Sequence, residues 1–132
     1  MKENESLKIK SLVDVIVRGM QEKKAEDVTV IDLRNLDNAV CDFFVISNAN
    51  SNTQVNAIAD SVEKETLEII GEKAWRKEGT ETSEWILIDY VNVVAHICHA
   101  ATIVMLLTYA VHVLCCMYAA KRTNHLFLEW RS

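Results

Sequence analysis

The stretch SEWILIDYVNVVAHI, residues 83–97, decides the fold. It holds two short apolar runs rich in β-branched residues, EWILIDY (84–90) and VVAHI (93–97), the composition of strands. Only Val91 and Asn92 separate them, so the two runs are expected to form a hairpin. Trp85 and Tyr90 begin and end the first run. Side chains alternate along a strand, which puts these two aromatics on opposite faces. One face should be core, and the residue pattern alone favours core for both rings. The other face can present an aromatic to solvent or to a partner, since aromatics commonly anchor interfaces.

Upstream of the hairpin the period changes from two to 3.6. In residues 4–23, Ile9, Val13, Ile16, Val17 and Met20 fall on one helix face. DVTVIDL (27–33) reads as a strand, RNLDNAVC (34–41) as a loop, and DFFVIS (42–47) as a central strand covered on both faces. The polar stretch NANSNTQ opens a second amphipathic helix with Val55, Ile58, Ala59, Val62 and Ile69 on one side. Gly71 is placed to end it. KAWRKEG (73–79) is a short strand or the approach to one. The order α-β-β-α-β-β-β predicts an α/β fold with a mixed β-sheet flanked by helices.

Charge is distributed unevenly. The chain of 132 residues carries a net charge of −5, enough length for one buried core. Residues 1–92 contribute −7 and residues 93–132 contribute +2, and no Asp, Glu, Lys or Arg occurs between Tyr90 and Ala120. The acidic balance argues against nucleic acid as a specific partner, because phosphate contacts need clustered Lys and Arg. Four cysteines without a CxxC pair, and a charged start (MKENESLKIK), fit a reduced, cytoplasmic protein.

Several residues invite a chemical reading. Ser51-Asn52-Thr53-Gln54 is an S-x-x-Q capping box before a helix, and without a Gly-rich loop or lysine it reads as structural rather than as an anion site. Asp32, Asp37, Asp42 and Asp89 stand near strand ends, but no D-x-D pair supports a catalytic cluster. His96, Cys98, His99, His112, Cys115 and Cys116 could supply zinc ligands on paper, yet they lie in the most apolar part of the chain. No metal or other cofactor is expected.

Three stretches, DVTVIDLRNLDNAVCDFFVIS, NSNTQVNAIAD and SEWILIDYVNVVAHI, resemble the ribosomal silencing factors, the RsfS or Iojap family, in order and spacing. The resemblance covers residues 1–97. It implies a nucleotidyltransferase-like α/β fold without the catalytic acids, hence no enzyme. It also implies binding to the L-fourteen protein of the large ribosomal subunit, which blocks subunit joining and represses translation. Carried over by position, Trp85 matches the tryptophan of the family's D/E-W-I/L motif, with Ile86 and Asp89 on the same strand. Tyr90 and Val91 stand where the family has an aromatic or aliphatic residue followed by glycine. Asn92 takes the place of an aspartate, and His96 ends the V-x-H element. These seven are the expected partner-binding residues. Asp42, Ser51 and Gln54 match the D-Y/F-F-V and S-x-x-Q/H elements.

Residues 98–132 do not match the family, and HLFLEW (125–130) is only a faint echo of its last helix. The run AATIVMLLTYAVHVLCCMYAA (100–120) precedes Lys121-Arg122 and has the length and hydropathy of a transmembrane helix. It is equally suited to an apolar helix in the core or in a homodimer contact. The abrupt change fits a frame-shifted end better than a genuine extension, and only a genuine one would bring a membrane partner. The expected organisation is therefore an α/β domain over 1–97 followed by an atypical apolar tail over 98–132.

Overall fold

The computed structural model describes residues 2–35, 41–100 and 129–131. The chain runs α1 (Lys2–Glu22), β1 (Glu26–Asp32), β2 (Phe43–Ala49), α2 (Asn52–Ile70), β3 (Arg76–Glu78), β4 (Trp85–Asp89), β5 (Val93–His99) and β6 (Glu129–Arg131). Up to β5 this is the order expected from the sequence. The strands form one mixed sheet in the order β3-β4-β5-β2-β1-β6. β2 pairs parallel with β5, and the other neighbouring pairs are antiparallel.

Both helices lie on one face of the sheet. Leu12, Val13, Ile16 and Met20 of α1 and Val55, Ile58, Ala59 and Val62 of α2 meet Phe43, Val45, Ile86, Ile88, Val93, Ala95 and Ile97. The helices touch at Gly19, where an added Cβ would sit 2.8 Å from the Val62 Cα. The Ser61 hydroxyl donates to the Gly19 carbonyl there, at 2.8 Å. A second apolar cluster occupies the opposite face: Ile31, Leu33, Cys41, Phe44, Ile46, Leu87 and Val94. β2 feeds both clusters and is buried at every position, as its uninterrupted apolar run suggested.

The inward face of α2 differs from the expected one at its end. Ile69 is 47% exposed, whereas Thr66 is buried and Ile70 packs against the core. Tyr90 explains the exchange, because its hydroxyl reaches in beside the helix and shares a 2.8 Å hydrogen bond with the Thr66 hydroxyl. Gly71 ends the helix in the left-handed conformation, φ 67°, with its N–H donating to the Leu67 carbonyl and that of Glu72 to Thr66.

The boundary drawn at residue 97 falls inside β5, which runs on to His99, and Glu129–Arg131 pairs with β1. The apolar run 100–120, with its expected helix and membrane span, lies outside the described residues. Among those described, no helix is long and apolar enough to cross a membrane.

Candidate functional site

The structure divides the expected site residues between the two ends of the β4–β5 hairpin. Trp85 stands at the open end and Val91–Asn92 form the turn. At the turn, the Asn92 N–H donates to the Tyr90 carbonyl at 2.9 Å, the bond of a three-residue γ-turn. Val91 at its centre has φ 76°, a region that disfavours a β-branched side chain. Its N–H is held by the Asp89 carboxylate at 2.7 Å, and the Asp89 carboxylate also stands 3.8 Å from the Arg76 guanidinium. The Asn92 carbonyl accepts from the N–H groups of Asp42 and Phe43, at 2.8 and 3.2 Å. The turn is thereby tied to the start of the central strand. Val91 and Asn92 are exposed, and Asp42 beside them is half-buried.

A strained valine suggests its own test. Val91→Gly should remove a backbone cost of about 1–3 kcal/mol, offset in part by glycine's greater freedom in the unfolded chain. The expected net gain of about 1 kcal/mol would raise the melting temperature by about 3–4 °C. A fall in melting temperature would mean that the valine side chain contributes more by contact than its backbone costs.

At the open end, alternation holds as expected: Tyr90 packs with the helix-side cluster, and Trp85 lies on the other face, half-buried. The Trp85 indole stacks on the His96 ring, with centroids 5.8 Å apart and planes 25° apart. Its Nε1–H donates to His96 Nδ1 at 3.2 Å. An indole N–H can only donate, so Nδ1 is the accepting nitrogen and neutral His96 carries its proton on Nε2. Phe44 meets the same imidazole edge-on at 4.9 Å. His96 is 2% exposed, and its Nε2 has no hydrogen-bond partner among the described residues. Burial pushes its pKa down to about 4, so the ring is neutral at neutral pH.

Several of the remaining candidates have structural roles, while His112, Cys115 and Cys116 lie outside the described residues. Ser51 is the N-cap of α2, and its hydroxyl accepts from the Gln54 N–H at 3.1 Å. The Gln54 carboxamide accepts from the Asn50 N–H and donates to the carbonyls of Lys23 and Lys24. It caps one helix and fastens the exit of the other, a tertiary role that S-x-x-Q spacing does not announce. Ser51→Ala should cost about 1 kcal/mol, visible in thermal unfolding, with any ribosome binding left unchanged. Asp32 is bound to Arg34 at 2.7 Å, and Asp37 lies outside the described residues. The Cys98 thiol is pushed up to about 12 by burial, which leaves no thiolate for nucleophilic chemistry. Among the described residues no three His, Cys, Asp or Glu side chains are grouped to hold a metal ion. Ile86 is fully buried against the helices, and Tyr90 and Asp89 are 7% exposed. Of the seven expected contact residues, Trp85, Val91 and Asn92 present side-chain surface.

The family described as ribosomal silencing factor during starvation matches residues 6–102. A ribosomal silencing factor of Halalkalibacterium halodurans is 38% identical over 88 residues, 67% of this chain and 74% of that one. One from Bacillus subtilis is 32% identical over 90 residues, 68% and 75% of the two chains. A crystal structure of a Chromobacterium violaceum protein superposes with a TM-score of 0.70 at 24% identity, covering 90% of this chain and 91% of that one. A Bacillus halodurans crystal structure gives 0.65 at 33% identity, covering 76% and 94%. The region beyond residue 102 lies outside the family match, and over the rest the chain belongs to the ribosomal silencing factors.

Proposed function

We propose that this protein acts in the cytoplasm by binding, without catalysis: it docks on the L-fourteen protein of the large ribosomal subunit and blocks joining of the small subunit. The family match over residues 6–102 carries this reading. The local chemistry supports it, since the Ser51 hydroxyl caps a helix, the Asp89 carboxylate holds the turn and the Trp85 indole is bonded to His96. The contact falls to the surfaces of Trp85, Val91 and Asn92. Ile86, Asp89, Tyr90 and His96 position these three from within, and Asp42, through its backbone, fixes the turn.

Co-sedimentation of the full chain with purified large subunits tests the proposal, together with a subunit-joining assay. The protein should pellet with large subunits and reduce formation of joined ribosomes. Trp85→Ala should weaken capture of the L-fourteen protein while the circular dichroism spectrum stays native-like. A lowered melting temperature with unchanged affinity would place the indole in a purely internal role. Failure of the full chain to bind large subunits would overturn the proposal itself.

A further inference from the structure

A cleft of about 350 Å³ opens beside the hairpin turn. Part of its lining is a single stripe of α1, where Glu5, Lys8, Ile9 and Leu12 recur at the spacing of one helix face. Asn92 of the turn, the neighbouring Asp42, and Glu72 just past the end of α2 complete its polar lining. Leu12 and Tyr90 are buried and Ile9 is half-buried, and these three supply its apolar base.

The chemistry of this lining selects an occupant. Glu5, Asp42 and Glu72 bring three carboxylates against the single ammonium of Lys8. No ion pair among the described residues uses any of the four. Asn92 holds the turn through its backbone, and its carboxamide bonds to none of the described residues. Unpaired carboxylates around an apolar base suit a cation carried on a hydrocarbon stem, which is the build of a lysine or arginine side chain. A phosphate group would meet net repulsion there. Position agrees with chemistry, because Asn92 belongs both to the cleft and to the exposed turn. A protein seated on Val91 and Asn92 therefore has the cleft within reach of its side chains.

We propose, resting on the ribosomal docking above, that this cleft receives a lysine or arginine side chain of the protein that docks on the Val91–Asn92 turn. Asp42, Glu72 and Glu5 face its charge, and Ile9 and Tyr90 receive its stem. Equilibrium binding of the full chain to purified large subunits tests this with four proteins: the unaltered chain, Asp42→Asn combined with Glu72→Gln, Lys8→Gln, and Glu22→Gln. Glu22 is exposed at the far end of α1 and repeats the loss of a carboxylate away from the cleft. Removing the two cleft carboxylates should weaken binding by about tenfold, and removing the ammonium should strengthen it by about twofold to threefold. Glu22→Gln should match the unaltered chain. Misfolding does not strengthen binding, so the gain expected of Lys8→Gln keeps the test decisive. Attraction to ribosomal RNA would reverse both signs, and that reversal would overturn the proposal. Equal affinity for all four proteins would overturn it too, as would a change in Glu22→Gln as large as that of the double variant. Failure of the unaltered chain to bind would instead refute the docking itself, and the occupant with it.

Discussion

Truncation of Phe44 to alanine is expected to lower stability by about 3–5 kcal/mol, seen as a lower urea midpoint at unchanged slope. The side chain is 1% exposed and sits on the central strand, flanked by β5 and β1. Hydrogen bonds on both sides hold that backbone in register, so the sheet has little freedom to collapse into the gap. The ring also supports the His96 imidazole edge-on, and its loss removes one wall of that burial site. Leu67→Ala offers the contrast. Leu67 is 56% exposed, and its truncation should change stability by less than about 0.5 kcal/mol. A cost below about 1 kcal/mol for Phe44→Ala would mean that the second face is not packed.

Acid should destabilise the protein through His96. An unfolded histidine titrates near pH 6.5, and burial lowers the folded value to about 4. Between these values the unfolded chain binds a proton that the folded chain refuses, so stability is full above pH 6.5 and falls as the pH drops toward 4. The difference corresponds to about 3 kcal/mol from this one group. Geometry acts in the same direction, since a proton on Nδ1 would face the Trp85 N–H, donor against donor. Denaturant titrations between pH 7 and 4 check this against His96→Leu. That variant starts less stable, having left the indole without an acceptor, but its loss over the interval should be smaller by about 3 kcal/mol. Parallel pH profiles for the two proteins would refute a neutral, buried imidazole.

Much of this was legible because periodicity reports burial directly. The hairpin, the opposed Trp85 and Tyr90, and the two-sided burial of DFFVIS all follow from alternation or its absence. What escaped depends on partners distant in sequence. Ile69 fits the apolar stripe of α2 as well as Ile70 does. Only Tyr90, arriving from another strand, selects Thr66 and Ile70 for the inside. The Asn92 carbonyl that ties the turn to β2 is a backbone group, invisible to any pattern of side chains. The three residues of β6 are too few to show a period. The burial of His96 could have been inferred from its place between Ala95 and Ile97 in an apolar strand, but the indole that fixes its tautomer could not. Site residues chosen by motif therefore mixed surface with scaffold: Ile86 and His96 belong to the motif because they build it from inside.

The parallel pairing of β2 with β5 sets the order in which this molecule can assemble. Phe43 lies opposite Val93, about fifty residues further along the chain. The β4–β5 hairpin is local and can form within about 1–10 μs. The central strand must wait for a long loop to close before it gains its second neighbour. During synthesis that wait is enforced, because α1, β1, β2 and α2 emerge from the ribosome before β5 does. For that interval Phe44 and Ile46 lie in a strand with one open edge, the most aggregation-prone moment in the life of the chain.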